Sequence, residues 1–235
     1  MSLGFGNLAR IGHLYPSGGL CDYEIQLMAP EGVQFITTRV PFKKTDINQH
    51  HGFCAHLESH ASLLVDAGVD LIAVNCTAVT MLAGPETLRR RLYSATAKPT
   101  LTTIDAVMAA LKAQKMQRIG LLTPYPSDVI HAEIAYLAEH GIEVIAQHGT
   151  PCASPIEQGQ YPSVHWFEWA RQFAKYPIDG LLISCAGIQV AHQLQAMENY
   201  LQLPVVASNQ ALLWHCLKTL DLALPVLGFG SLLTA

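Results

Sequence analysis

The sequence predicts an α/β protein of two pseudo-symmetric lobes, each a parallel sheet flanked by helices. Two observations lead to this prediction. β-rich and helical segments alternate along the chain, and the second half repeats the first. The β-rich segments are near-continuous apolar runs, which is typical of parallel strands covered by helices on both faces.

Three pairs of segments recur in the same order, 105 to 109 residues apart. The pairs are RIGHLYP (10–16) with RIGLLTP (118–124), VDLIAVNC (69–76) with IDGLLISC (178–185), and more weakly PTLTTIDAVMAAL (99–111) with PVVASNQALLWHC (204–216). The first pair is identical at five of its seven positions. A repeat of this length and order indicates an internal duplication, and hence two similar lobes.

The predicted strands follow in chain order, with helical patterns between them. They are residues 10–15, 33–40 and 69–75 in the first half, and residues 118–123, 141–147, 179–184 and 204–208 in the second. Residues 52–68 have the pattern of a helix. A second helix is predicted to begin at a Ser127 cap and to stop at Gly141.

Composition excludes several classes of function. The chain has 235 residues, half of them hydrophobic, and a net charge of −4 with only 14 Lys and Arg, so we expect no nucleic-acid partner. No apolar stretch reaches the roughly 18 residues of a membrane span, so we expect no membrane partner. The first ten residues have no apolar core of a signal peptide, which predicts a cytoplasmic protein with reduced cysteines.

The sequence offers little support for a metal site. None of the six cysteines forms a C-x-x-C pair. The segment HHGFCAHLESH (50–60) is rich in potential ligands, and His56 and His60 would share a helix face. It is not an H-E-x-x-H motif, and no third ligand accompanies it. We expect no metal ion and no cofactor.

The candidate site follows from where the strands end. In open α/β sheets, ligands bind beyond the carboxyl ends of the strands. Pro16, Cys76, Pro124 and Cys185 all fall at such ends. A two-fold relation between the lobes would place Cys76 and Cys185 on opposite walls of one cleft. We therefore predict these two cysteines as the catalytic residues.

Two facing thiols can perform cofactor-free chemistry. Backbone N–H groups at the strand ends are expected to lower the thiol pKa values. One thiolate can take a proton from carbon while the opposite thiol returns one, which inverts the carbon. Alternatively, a thiolate adds to a double bond, the resulting single bond rotates, and the thiolate leaves. Both routes require an electron-withdrawing group such as a carboxylate.

Residues beside the two cysteines could bind that carboxylate through hydroxyl and backbone N–H groups. The predicted substrate-binding residues are Ser17, Gly18 and Gly19 in the first turn, Asn75, Thr77 and Ala78 around the first cysteine, Tyr125, and Ala186 and Gly187 after the second cysteine. The segments 40–52 and 149–162 are expected to shape the pocket, although their sequences carry no recognisable motif.

These motifs resemble the aspartate/glutamate racemase superfamily, in particular the arylmalonate decarboxylase and maleate cis–trans isomerase branch. The resemblance covers nearly the whole chain. It implies an active site between the lobes and segments that cross between them. We expect residues 1–98 with 209–235 in the first lobe and residues 99–208 in the second. The resemblance also implies catalytic roles for Cys76 and Cys185.

Departures from the family patterns guide the choice of reaction. No His follows Cys185, which argues against aspartate or glutamate racemisation. Arylmalonate decarboxylases have glycine where this chain has Cys76. We therefore expect a cofactor-independent isomerase, either a racemase or a cis–trans isomerase, of a small carboxylic or dicarboxylic acid.

Two alternatives stay open. One is an arylmalonate-type decarboxylase with Cys185 as proton donor. The other is a non-catalytic protein that binds a small acid, whose binding would need neither thiol. All three predict a small-molecule carboxylate as the ligand. The sequence does not decide whether copies of the chain form a homo-oligomer.

Overall fold

The computed structural model describes residues 5–48 and 50–234. It contains two four-stranded parallel sheets, in the orders β2-β1-β3-β4 and β6-β5-β7-β8. The strands are β1 (Ala9–Pro16), β2 (Val33–Val40), β3 (Leu71–Val74), β4 (Thr100–Thr102), β5 (Arg118–Leu122), β6 (Glu143–His148), β7 (Gly180–Ile183) and β8 (Val205–Ala207). The predicted fold class is confirmed.

Helices flank both sheets. Within the described residues the α-helices are α1 (Glu24–Met28), α2 (His50–Cys54), α3 (Leu57–Asp66), α4 (Thr77–Leu82), α5 (Pro85–Thr96), α6 (Thr103–Ala113), α7 (Ser127–Glu139), α8 (Pro155–Gln160), α9 (Ser163–Arg171), α10 (Leu194–Leu201) and α11 (Ser208–Thr219). Short 3-10 helices span Gln172–Lys175, Ala191–Gln193 and Ser231–Thr234. No helix in these described ranges combines the length and apolar character needed to cross a membrane.

The duplication extends to the pairing register. Ile11 lies opposite Leu71 where β1 pairs with β3, and their counterparts Ile119 and Gly180 lie opposite each other where β5 pairs with β7. These are the positions that the sequence repeat aligns. Because both sheets keep the same register, the residues that follow β3 and β7 occupy equivalent places.

A matching hydrogen bond anchors each register. The Asp70 carboxylate accepts from the backbone N–H of Arg10 at 2.8 Å. The Asp179 carboxylate accepts from the backbone N–H of Arg118 at the same distance. Each aspartate lies just before an inner strand and contacts the start of the neighbouring strand. The repeat therefore conserves a specific contact as well as a hydrophobic pattern.

Two local predictions need correction. Residues 52–68 do not form one helix. The helix is interrupted between α2 and α3, where His56 has the non-helical angles φ −130° and ψ 32°. The helix α7 has Pro126 at its N-cap, with Ser127 as its first residue. Gly141 lies just beyond the end of α7 with φ +79°, as a helix stop requires.

The lobes are joined through their duplicated helices. Helix α6 follows β4, helix α11 follows β8, and the two pack against each other. Helix α11 also contacts α1 and the strands β3 and β4 of the first sheet. This packing brings the carboxyl ends of the two sheets together. The lobe boundaries at 98/99 and 208/209 stay a prediction.

Candidate active site

A small closed cavity lies between the carboxyl ends of the two sheets. The space open to the centres of water molecules is about 20 Å³, room for little more than one water. The cavity is lined by Tyr15, Pro16, Gly19, Phe42, Thr45, Cys76, Ala78, Tyr125, Pro155, Gln158, Cys185, Ala186 and Gly187. Both predicted catalytic cysteines thus border the same enclosed space.

Cys76 occupies the junction between β3 and α4. Its backbone is extended, with φ −159° and ψ 107°, and it is the N-cap residue of α4. Burial raises the pKa of its thiol to about 12, although the backbone N–H of Val79 acts in the opposite direction. The expectation of a lowered pKa is therefore wrong for the closed state, because desolvation outweighs the backbone contribution.

Cys185 occupies the equivalent place after β7. Burial raises the pKa of its thiol well above the usual value, against the opposing effect of the Gly187 backbone N–H. That N–H donates to Cys185 Sγ at 3.1 Å. The thiol in turn donates to Oε1 of Gln158 at 3.4 Å. Cys185 therefore has a built-in acceptor for its proton and is held as a neutral thiol.

Tyr125 follows β5 and is almost completely buried. Burial raises its pKa well above 10, and the neighbouring Cys185 adds to this effect. Its hydroxyl is accordingly neutral and can donate a hydrogen bond into the cavity. Four other predicted binding residues also line the cavity, namely Gly19, Ala78, Ala186 and Gly187.

Only one of the three residues predicted in the first turn lines the cavity. Gly19 lines the cavity, whereas Ser17 and Gly18 lie outside its lining. The Ser17 hydroxyl accepts from the backbone N–H of Phe42 at 3.1 Å, and the N–H of Gly18 donates to the Phe42 carbonyl at 3.1 Å. These bonds hold Phe42 against the cavity, so Ser17 and Gly18 shape the site through Phe42.

Asn75 and Thr77 flank Cys76 but also lie outside the lining. The Thr77 hydroxyl donates to the Ser208 hydroxyl at 2.8 Å. The Asn75 amide donates to Oδ1 of Asn209 at 2.8 Å. Both side chains are buried in contacts with the start of α11, which fixes the backbone on each side of Cys76.

Five of the lining residues are not among those predicted from the sequence. They are Tyr15, Phe42, Thr45, Pro155 and Gln158. Four of these belong to the segments 40–52 and 149–162, which were expected to shape the pocket. Gln158 joins the two segments, because its Nε2 donates to the Thr45 hydroxyl at 3.0 Å.

No lysine or arginine lines the cavity in the described part of the chain. The nearby Arg39 donates to the carbonyl oxygens of Ser17 and Gly19 and pairs with Asp22. An anion inside the cavity would therefore be bound by hydroxyl and backbone N–H groups. Such groups can hold a carboxylate without a neighbouring cation.

The histidine-rich segment has other contacts. Nδ1 of His60 bonds to the His56 carbonyl at 2.7 Å, and the rings of His50 and His51 lie 3.9 Å apart. Among residues 5–48 and 50–234, no cluster of three or more His, Cys, Asp or Glu side chains could hold a metal ion.

The fold and the cavity define a two-lobed α/β protein with one thiol on each wall of an interlobe site. The chain belongs to the arylmalonate decarboxylase family, whose model matches residues 12–233.

Curated relatives include two kinds of enzyme. The maleate isomerase of Nocardia farcinica is 28% identical over 180 residues, covering 72% of this chain and 71% of the relative. The maleate isomerase of Pseudomonas putida is 26% identical over 244 residues, covering 97% and 98%. The arylmalonate decarboxylase of Bordetella bronchiseptica is 27% identical over 179 residues, covering 71% and 73%.

Solved structures have the same fold. Nocardia farcinica maleate cis–trans isomerase bound to TRIS superposes with a TM-score of 0.89 at 22% identity, covering 96% of this chain and 98% of that one. A cysteine-to-serine mutant of the same enzyme, with a covalently bound succinylcysteine intermediate, gives 0.89 at 21% identity over the same shares. Unliganded arylmalonate decarboxylase gives 0.83 at 22% identity, covering 96% and 98%.

Proposed function

We propose that the protein is a cofactor-independent isomerase of a small carboxylic or dicarboxylic acid, with Cys76 and Cys185 as its catalytic residues. The observation that supports this most directly is that both thiols line one closed cavity. The maleate isomerases among the relatives support the same reaction class. By analogy with these relatives, the proposed substrate is a dicarboxylic acid with a cis double bond.

The proposed reaction begins with addition. Cys76 loses its proton to solvent while the cavity is open, because burial is the main cause of its raised pKa. Its thiolate adds to one carbon of the double bond, and the S–H of Cys185 protonates the other carbon. The product is a saturated acid bonded through carbon to Cys76 Sγ.

The reverse steps complete the isomerisation. The former double bond is now single and can rotate. The Cys185 thiolate removes a proton from the carbon it protonated, the double bond re-forms, and the carbon–sulfur bond breaks. Cys76 leaves as a thiolate, and Cys185 is again a thiol. The succinylcysteine described for the Nocardia enzyme is the type of adduct that this scheme requires.

A hydrogen bond of Cys185 supports the proposed division of roles between the two thiols. Cys185 already directs its proton to Gln158 Oε1, an oxygen that accepts but cannot take the proton. This contact favours the protonated form, so Cys185 is the proton donor and Cys76 the nucleophile. For racemisation, the same pair would act as base and acid on opposite faces of one carbon.

The carboxylates would be bound by Tyr125 and by the backbone N–H of Ala78, which lines the cavity at the start of α4. Gly187 and Gly19 also line the cavity, but their N–H groups already donate to Cys185 Sγ and to the Pro16 carbonyl, so they shape the site. Ser17, Gly18, Asn75, Thr77 and Ala186 complete the predicted set. Of these, Ser17, Asn75 and Thr77 have side chains already bonded within the protein, so they would act through the backbone they hold.

Decarboxylation of an arylmalonate is the second candidate, because the matching family model carries that description. Phe42 and Pro155 give the cavity apolar walls that an aryl group could contact. In this reaction, Cys185 would protonate the enediolate left when carbon dioxide departs, and Cys76 would not be required. The presence of Cys76 in the lining favours the isomerase.

The remaining expectations belong to the same proposal. The ligand is a small carboxylate, the site requires no cofactor, and a cytoplasmic location would keep both thiols reduced. The non-enzymatic alternative is a protein that binds a small acid without converting it.

One experiment separates these candidates. The purified protein is incubated in deuterated water with maleate, aspartate, glutamate, 2-arylpropionates and arylmalonates, and proton NMR follows products and exchange at carbon. Matched samples carry Cys76→Ala or Cys185→Ala. We expect the wild type to isomerise a substrate of this panel, and we expect each substitution alone to abolish that activity.

Other results would lead to other conclusions. Arylmalonate turnover that survives Cys76→Ala but not Cys185→Ala would identify a decarboxylase. Activity that survives both substitutions would contradict thiol chemistry altogether. Tight binding of an acid, without turnover and unaffected by either substitution, would identify a binding protein.

A further inference from the structure

The peptide group between Ala186 and Gly187 lies directly behind the Cys185 sulfur. Its N–H, from Gly187, donates to Cys185 Sγ at 3.1 Å. Its carbonyl, from Ala186, points away from the sulfur and accepts hydrogen bonds from elsewhere. One planar peptide group therefore joins the thiol to a second set of polar residues.

Two buried side chains donate to that carbonyl. The Tyr15 hydroxyl donates to Ala186 O at 3.2 Å, and Asn209 Nδ2 donates to the same oxygen at 3.1 Å. Tyr15 is completely buried and Asn209 is 2% exposed. Ala186 is itself buried, so both bonds form in a low-dielectric environment that strengthens them.

Hydrogen bonds through one peptide group reinforce each other. A donor on the carbonyl draws electron density toward oxygen, which makes the N–H of the same peptide a stronger donor. We propose that Tyr15 and Asn209 are positioning residues that strengthen the Gly187 N–H···Sγ bond and so stabilise the Cys185 thiolate. The inference rests on the proposed function for the catalytic role of Cys185, but the hydrogen bonds do not.

Asn209 also links this peptide to the opposite wall. Its Oδ1 accepts from Asn75, the residue before Cys76, and its Nδ2 donates to Glu24 as well as to Ala186. The Glu24 carboxylate in turn accepts from the backbone N–H of Ala191 at 2.7 Å. The orientation of Asn209 is thus fixed from both lobes, and it cannot turn away from Ala186 without breaking these bonds.

Other titratable groups facing Cys185 must be kept constant in any test. They are Cys76 at the start of α4, Tyr125 after β5, and Cys21 in the segment after β1. Cys21 contacts the same turn, because its thiol donates to the Gly187 carbonyl at 3.3 Å. Substitution of Tyr15 by Phe keeps all three side chains but removes the acceptor of the Cys21 backbone N–H, which donates to the Tyr15 hydroxyl at 3.2 Å. Asn209→Ser leaves that bond intact and is therefore measured beside it.

The test compares the reactivity of the two thiols without a substrate. Tyr15→Phe and the wild type are alkylated with iodoacetamide at pH 8.5, and peptide mass spectrometry gives the rate at Cys185 and at Cys76. Both thiols line the same cavity, so their ratio cancels changes in access. Loss of one carbonyl donor should lower the Cys185:Cys76 ratio about two-fold, since cooperativity changes each bond by roughly 10–30%.

Thr123→Val is the matched control. The Thr123 hydroxyl donates at 2.8 Å to the Ser184 carbonyl, which belongs to the peptide group between Ser184 and Cys185. The N–H of that peptide group does not donate to Cys185 Sγ, so the Cys185:Cys76 ratio should not change. In ¹⁵N-labelled protein, the Gly187 amide proton should move upfield in Tyr15→Phe but not in Thr123→Val.

Asn209→Ser removes the second donor to the Ala186 carbonyl. It provides the same test if Tyr15→Phe does not fold. An unchanged Cys185:Cys76 ratio with an unchanged Gly187 resonance would overturn the proposal. An equal fall for the valine control would also overturn it. Since neither readout needs turnover, a failed substrate panel would not affect this result.

Discussion

Asn75 donates a hydrogen bond to Oδ1 of Asn209 at 2.8 Å, and both side chains are buried. The rest of the hydrogen-bonding capacity of the Asn75 side chain is also used. Its Nδ2 lies 2.9 Å from Nε2 of His13, and its Oδ1 accepts from the Thr103 hydroxyl at 3.0 Å. A fully bonded buried amide of this kind fixes one arrangement of the backbone before Cys76.

Loss of that amide should destabilise the whole fold. Asn75→Ala leaves the buried Nε2 of His13 and Oδ1 of Asn209 without a partner, so the free energy of unfolding should fall by about 2–4 kcal/mol. Urea denaturation measures this change. The control Asn199→Ala removes an exposed amide and should stay within about 0.5 kcal/mol of the wild type. A loss for Asn75→Ala no larger than for the control would show that the network adds little to stability.

Glu133 should make stability fall as the pH rises. Burial raises its pKa from 4.5 to about 8, against the opposing bond from the Ser184 hydroxyl. A raised folded-state pKa contributes stability below pH 4.5 that is lost as the pH rises through 8. Relative to Glu133→Gln, the wild type should therefore lose on the order of a few kcal/mol between pH 4.5 and 8. Urea unfolding at several pH values measures the difference.

Glu139, in the same helix, provides the control for the Glu133 prediction. Glu139 is exposed at the end of α7, so Glu139→Gln should leave the pH dependence of the wild type unchanged. Parallel stability curves for the wild type and Glu133→Gln would contradict the raised pKa.

The thiol of Cys76 should react slowly at neutral pH. Its pKa is raised to about 12 by burial, so the thiolate fraction keeps growing about tenfold per pH unit well beyond pH 9. The rate of alkylation at Cys76, followed by peptide mass spectrometry, should rise with that slope from pH 8 to 10. Protein unfolded in urea should instead level off near pH 9. A plateau below pH 8 in the folded protein would mean that the working thiol is far more acidic than the closed cavity implies.

Gly187→Ala should impair turnover far more than folding. An added methyl group would meet Gln158 Oε1 at 2.7 Å and Cys185 Sγ at 3.4 Å, inside a cavity that holds little more than one water. Gly187 is not among the glycines with positive φ, and the closest contact is a flexible side-chain end. We expect at least a tenfold loss of kcat/KM for the acid that turns over, on the order of 1.4 kcal/mol, and a melting temperature within a few degrees of the wild type.

Gly52→Ala provides the matched glycine control for this prediction. Gly52 is exposed in α2, and a methyl group there would meet nothing within 4 Å. Its activity should equal that of the wild type. Unimpaired activity of Gly187→Ala would place the reacting atoms away from the Cys185 turn.

Sequence patterns predicted the sheets well because buried parallel strands are apolar throughout. The strand β2 has the predicted bounds, Val33–Val40, and the repeat offsets match the observed register. The strand β4 (Thr100–Thr102) was missed because it is short and mostly polar, whereas β8, which also has three residues, is apolar and was predicted. Its weak match to the segment that contains β8 was the available signal.

The site was predictable only where it depends on strand ends. Cys76, Tyr125 and Cys185 lie two or three residues beyond the ends of strands, so the topology determines where they lie. Gln158 and Thr45 come from segments without a repeating pattern, and their contact depends on how the lobes pack. The thiol pKa values depend on burial in a closed cavity, which no spacing of residues reveals.

The matched registers have a consequence for how this chain can change. In a dimer of identical subunits, one gene would encode both walls of the site, and every substitution would appear twice. Here Cys76 and Cys185 are encoded separately within one chain, although equivalent hydrogen bonds from Asp70 and Asp179 hold their strands. A substitution beside one thiol therefore leaves the other wall unchanged, and the two thiols can have different partners, such as Gln158 for Cys185.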